Sequence, residues 1–193
     1  MRIVPLVLLL LSGCAVVRQP PADYDLGPPE AGAPPAVALS RIAVNSPSWL
    51  MTPLMQYRLS YLSGTRREAY ADSRWAAPPA ELVALALQRR LLGDGTPVPG
   101  CRLAVELDEF VQDYDGPGQS RAVLEARATL QAPRGGDPLA RHNVTERQRA
   151  GADAASGVTA LAVATSRLGA DLAAWLGRVA VESPGVAARC RGA

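Results

Sequence analysis

The chain has 193 residues and a formal net charge of only +2, with 48% hydrophobic residues but just 5% aromatic ones. That length suits one domain of common size once a leader is set aside, with a core of Leu, Val and Ala large enough to fold without a metal or cofactor. All 20 basic residues are arginine, and they are interspersed with the 18 acidic ones, which argues against a nucleic-acid binder that gathers its charge into a basic stripe.

The first stretch sets the address. Arg2 precedes an apolar run, Ile3 to Leu11, which closes on Leu11-Ser12-Gly13-Cys14. The run is too short for a membrane-spanning helix, which needs about 20 apolar residues, and its flanks are those of a secretory leader. Small Ser12 and Gly13 leave the backbone open to a transferase that must reach the Cys14 thiol and a peptidase that must cut the Gly13 to Cys14 bond. The spelling is that of a lipoprotein, with residues 1–13 removed and Cys14 acylated by chains such as palmitate. An ordinary leader with an incidental cysteine is the alternative.

Residues 14–35 are rich in proline, glycine and alanine (Pro20, Pro21, Pro28, Pro29, Pro34, Pro35) and read as a semi-rigid tether, with Tyr24-Asp25-Leu26 as a short edge strand within it. Residues 36–193 read as one domain. Val37 to Ser46 is a first strand, ended by Pro47, which has no amide for a ladder. Ser48-Trp49-Leu50-Met51 then places large apolar side chains in a loop before Pro53. They either fold over the sheet as a lid or form a contact surface. Leu54 to Leu62 is a second strand, with Met55, Tyr57, Leu59 and Tyr61 on one face and Gln56, Arg58 and Ser60 on the other. After the Ser63-Gly64-Thr65 turn, Arg67 to Tyr70 is its hairpin partner.

Pro78 and Pro79 open a helix to about Leu92, stopped by Gly93, with Leu82, Leu85, Ala86 and Leu92 on one flank and Val83, Leu87 and Leu91 widening it. Leu103, Val105 and Leu107 begin a third strand that reaches Tyr114, and Asp115-Gly116-Pro117-Gly118 turns into a fourth, Arg121 to Ala132. Leu139 to Arg149 is a more polar strand near an edge. The clearest helix carries Val158, Leu161, Thr165, Leu168, Leu172, Trp175 and Val179 at spacings of three and four, with Ser156 as N-cap. The order predicts a two-layer α+β domain: a mostly antiparallel or mixed sheet of about five to six strands with two helices on one face.

If Cys14 carries lipid, Cys101 and Cys190 remain as an even pair in an oxidising compartment. A bond between them would pin the C-terminal tail to the start of a strand; two free thiols are the alternative, because sequence alone does not place their Cα atoms.

Catalytic signals are missing. The lone His142 sits in a polar strand and reads as exposed, and no Gly-x-Ser-x-Gly elbow accompanies it. Asp108, Glu109, Asp113 and Asp115 cluster near a turn, but the later ligands and closing Glu of a calcium loop are absent. Asn143-Val144-Thr145 matches a glycosylation sequon that a bacterial lipobox makes coincidental. No metal, cofactor or enzyme site is expected; the chain reads as a binding or assembly protein.

Taken in order, Tyr24-x-Leu26-Gly27, Val44, Pro47-Ser48-Trp49-Leu50, Pro53-x-Met55-x-Tyr57-Arg58-Leu59 and Arg74-Trp75-Ala76 leading into Pro78 resemble the ABC-type transport auxiliary lipoproteins, the paraquat-inducible protein C-like family. The resemblance implies an outer-membrane lipoprotein facing the periplasm, held to outer-membrane lipid through Cys14. Its partners would be a mammalian-cell-entry-type (MCE) substrate-binding subunit and an ABC permease and ATPase, moving phospholipid or other hydrophobic molecules; a homo-oligomer is left open. Ala15, where an aspartate would favour inner-membrane retention, agrees with outer-membrane sorting. Trp49, Leu50, Met51, Tyr57, Arg58 and Trp75 are the expected docking or lipid-contacting residues. Where the family carries a polar, often charged pair before the loop proline, this chain has Met51-Thr52, so a contact made by those charges does not carry over. The alternative is a structural envelope lipoprotein that assists another outer-membrane machine.

Overall fold

The computed structural model describes residues 20–28, 30–33, 35–93 and 99–191. Its elements run β1 (Ala22–Tyr24), β2 (Leu39–Asn45), a 3-10 turn (Ser48–Leu50), β3 (Leu54–Leu59), β4 (Arg67–Trp75), α1 (Pro79–Leu92), β5 (Cys101–Gly116), β6 (Gln119–Gln131), β7 (Pro138–Ala150), α2 (Ala154–Glu182) and α3 (Pro184–Cys190). The strands form a single seven-stranded sheet in the order β1-β4-β3-β5-β6-β7, with β2 also paired to β5. The architecture is α+β, as expected, with one strand more than the upper estimate.

β5 is the organising strand because it is 16 residues long. One edge pairs with β6 from Arg102 to Gly116. The other is shared: β2 runs parallel to it from Cys101 to Glu106, and β3 runs parallel to it at Gln112 to Tyr114. β3 and β4 form an antiparallel hairpin, and β1 adds a parallel edge to β4. The edge strand anticipated at Tyr24 to Leu26 is thus Ala22–Tyr24. It is tied by Arg74 Nε donating to Asp23 at 2.5 Å, which holds the Asp23 carboxyl below its ordinary range.

Local chemistry explains most boundaries. Pro79 sits in the first turn of α1, Glu81 lies at its positive end, Arg89 and Arg90 lie at its negative end, and Gly93 closes it at φ 66°. Its buried stripe is Val83, Leu87 and Leu91; Leu85, expected on the packed flank, is 57% exposed. The β5–β6 turn closes on Pro117-Gly118, with Gly118 at φ 73°, a backbone setting that costs glycine little. α2 is capped by Asp153, whose carboxylate accepts from Ser156 N at 2.8 Å, so Ser156 lies inside the first turn instead of capping it. Ser120, Gly151 and Tyr114 also contribute to this corner: Gln112, only 1% exposed, donates to Ser120 Oγ and to the Gly151 and Asp153 carbonyls, and Tyr114 donates to the Ala152 carbonyl. A side chain at Gly157 would displace the Gln112 amide from these bonds, so glycine suits the close approach of the first turns of α2 to β5.

α2 covers β5, β6 and β7, while α1 packs on β2 and against α2. Leu161, Leu168, Leu172, Trp175 and Leu176 of α2 meet the alternating Ala122, Leu124, Ala126, Ala128 and Leu130 of β6 in one core. Small alanines on the strand make room for the leucines of the helix. The polar β7 buries only Val144, as befits an edge. After α2 the chain adds α3, which the sequence reading missed; it starts at Pro184 and ends in the bond between Cys190 and Cys101, whose Cα atoms are 4.8 Å apart.

Candidate functional site

The site begins where Pro47 stops β2. Without a continuing ladder, the chain coils into one 3-10 turn, with Leu50 N donating to the Pro47 carbonyl at 2.9 Å. A turn this tight sends successive side chains in different directions. Leu50 plugs the core at 1% exposure, while Trp49 (51%) and Met51 (65%) face outward, joined by Leu54 (50%) at the start of β3. The loop is therefore part buried and part exposed: Leu50 covers the core, and Trp49 and Met51 are left on the surface.

A polar relay beneath the turn fixes its pose. The Gln56 side-chain amide donates to the Trp49 carbonyl at 2.5 Å, and its oxygen accepts from Arg67 at 3.3 Å. Gln56, assigned by alternation to a polar face, is only 9% exposed because this turn covers it. Arg67 grips Glu109 through two bonds of 2.7 Å, and Arg58 donates to the same carboxylate at 2.9 Å. Charge-assisted, forked bonds of this kind are the strong ones, and the Glu109 side chain is only 12% exposed. The Arg67 guanidinium lies 5.7 Å from the centre of the Trp49 ring, within cation–π range. Glu109 on β5 thus orients Arg67 on β4, and Arg67 orients Trp49.

Other residues expected at the contact surface lie elsewhere. Trp75 is 2% exposed and packs its ring 5.4 Å from that of Phe110, so it belongs to the core. Tyr57 follows Gln56 on the strand and points to the opposite face. Its hydroxyl donates to Glu68 at 2.9 Å, a partner that favours the neutral phenol and raises its pKa. Its ring lies 4.7 Å from Tyr70, whose ionisation burial makes harder still. Arg58 lies under the site as a brace through Glu109. Leu54 was missed: as the first residue of its strand it was assigned to neither face, and only its place just after Pro53 hinted at exposure. Thr52 donates no charge; its hydroxyl accepts from Leu54 N at 3.4 Å. Cys14 lies outside the described residues.

The acidic cluster is likewise paired. Asp108 accepts two bonds of 2.7 Å from Arg127, Asp113 accepts from Ser60, and Asp115 pairs with Arg121. Among the described residues no group of His, Cys, Asp and Glu could hold a metal ion. His142 is not the exposed side chain expected: it stacks 5.2 Å from Trp175 and contacts Asp171 at 2.6 Å. Among the described residues no helix is long and apolar enough to cross a membrane.

The fold recurs in solved structures. A Xanthomonas campestris protein of the DUF330 family matches with a TM-score of 0.70 at 17% identity, over 85% of this chain and 99% of its own. A second structure, described only as an uncharacterized protein, matches at 0.59 and 17% identity, over 82% and 99%. No curated protein matches the sequence. The family model of the ABC-type transport auxiliary lipoprotein component matches residues 24–173, a span that runs from the edge strand β1 through the Trp49 turn and its Glu109 brace into α2. The chain belongs to the ABC-type transport auxiliary lipoprotein family.

Proposed function

We propose that this protein is an outer-membrane-anchored periplasmic auxiliary component of an MCE-type ABC system that moves phospholipid or other hydrophobic molecules. Residues 1–13 are its leader, Cys14 its lipid anchor, and residues 14–35 the segment that joins this anchor to the 36–193 domain and lends it the edge strand β1. It docks the transporter's periplasmic MCE subunit to the outer membrane and performs no catalysis. The observation that carries the docking role is the exposed trio Trp49, Met51 and Leu54, held by a buried Leu50 and by the Glu109–Arg67–Gln56 relay. Apolar side chains rigidly presented over a braced polar base suit the centre of an interface better than an unoccupied loop. The disulfide agrees with an oxidising compartment.

The test is capture of the lipidated, tagged protein from its own envelope followed by mass spectrometry, comparing wild type with Trp49→Ala combined with Met51→Ala. Recovery of an MCE-type subunit that falls in the double variant supports the role. Recovery of a different outer-membrane machine, unchanged by the substitutions, replaces it with the structural envelope reading.

A further inference from the structure

We propose that the end of the sheet carrying the β3–β4 turn rests on the bilayer, with Tyr61 and Leu62 seated at the headgroup boundary. This rests on the reading of Cys14 as the lipid anchor.

The turn is a second exposed apolar site, separate from Trp49. Tyr61 is 43% exposed and Leu62 is 70% exposed. They are presented by a closed structure: Leu62 N and Ser63 N both donate to the Leu59 carbonyl at 2.9 and 2.8 Å, and Tyr61 N reaches the Tyr114 carbonyl at 3.4 Å. Because Leu59 pairs with Tyr114, the exposed Pro117 of the β5–β6 turn lies at the same end of the sheet. A tyrosine beside a leucine suits the membrane–water boundary, where the ring spans apolar and wet regions.

The course of the chain selects this end. β1 runs parallel to β4, with Ala22 beside Ser73 and Tyr24 beside Trp75. β4 starts at Arg67, just beyond the turn, so the chain enters β1 from the turn side. The stretch from Ser73 back to Arg67 measures about 20 Å at strand rise. Between Cys14 and Ala22 the chain can span at most about 28 Å. The anchor therefore reaches the level of the turn with little to spare. Reach alone would also admit the Leu54 end, but Leu54 pairs with Arg74, on the side toward which β1 runs after it has left the anchor.

Charge at this end is compatible with phosphate. Its acids are engaged within the fold: Glu68 by Tyr57 and Arg66, Asp113 by Ser60, Asp115 by Arg121, and Asp153 by the first turn of α2. Arg149 stands directly opposite Arg121 across β6 and β7, a like-charge pairing that is unfavourable without an anion nearby. Arg121 has Asp115; exposed Arg149 is left to meet headgroup phosphates.

The experiment reconstitutes the full lipidated protein on vesicles of phosphatidylethanolamine and phosphatidylglycerol. A polarity-sensitive fluorophore is placed at Leu62→Cys or, in a second sample, at Met51→Cys; both sites are exposed, so folding is not at issue. The expected result is blue-shifted emission at position 62, quenched several-fold by brominated lipid, with water-like emission at position 51. Water-like emission at 62 in protein that co-floats with vesicles and carries the acyl mass on Cys14 overturns this proposal alone. Stronger quenching at 51 than at 62 also overturns it, by placing the bilayer on the Trp49 side. Protein that neither co-floats nor carries the acyl mass overturns the anchor reading and this proposal with it.

Discussion

The long hairpins β5–β6–β7 under α2 and the short strands β1, β3 and β4 share one sheet, yet they are held by different forces. In the first region the partners are regular and the core is aliphatic: 13 register pairs join β5 to β6, and Leu124, Leu130, Leu168 and Leu172 are fully buried. In the second, β3 pairs with β5 at only three positions, and much of the cohesion comes from Glu109, Arg58, Arg67 and Gln56. Burial of apolar surface is non-directional and supplies stability; forked ionic hydrogen bonds are directional and supply pose. The region that holds the fold together is therefore distinct from the region that aims Trp49.

Substitutions in the two regions should therefore fail in different ways. The largest loss is expected in the aliphatic half: Leu172→Ala or Leu168→Ala should cost about 2–5 kcal/mol in denaturant unfolding, because each leaves a cavity in a packed core. Next comes the covalent tie. Cys101→Ala with Cys190→Ala releases a loop of sequence separation 89 and should cost about 2–4 kcal/mol, read as a lower midpoint that reductant reproduces in wild type.

Glu109→Gln should cost less, about 1–3 kcal/mol, since Arg58 and Arg67 keep partial access to water when their partner loses its charge. Its sharper signature is local: with Arg67 released, Trp49 emission should shift and become easier to quench with iodide. A loss as large as that of Leu172→Ala would erase the distinction between the two halves. Trp49→Ala with Met51→Ala should change stability by less than about 1 kcal/mol while abolishing partner capture. The smallest effect concerns pH. The Ser156 amide and hydroxyl bond to Asp153 and lower its carboxyl pKa. A depressed carboxyl stabilises above its unfolded value of about 4 and loses that contribution as pH falls through the lower folded value. Acid should therefore fray the start of α2 in wild type, by amide exchange, and less steeply in Asp153→Asn.

The comparison also explains what was readable in advance. The aliphatic half announced itself: alternating Leu and Val in β5, alternating Ala and Leu in β6, and the three-and-four stripe of α2 are short-range patterns that any packed neighbour satisfies. The polar half was opaque. Gln56, Arg58, Arg67 and Glu109 lie on three different strands, and nothing in their local spacing says that one carboxylate gathers both arginines. Trp49 and Trp75 looked alike as large residues near prolines; a 3-10 turn exposes one, and the Phe110 ring buries the other.

The order of the strands, the two main helices and the long hairpins were legible in the sequence, because those depend on residue chemistry and periodicity within one segment. Tertiary structure alone decided that β2 and β3 lie parallel to β5, that α3 folds back to Cys101, and that Leu50 is core while Trp49 and Met51 are surface. Burial and ion pairing depend on what distant strands bring alongside a residue, and that is a property of the assembled sheet.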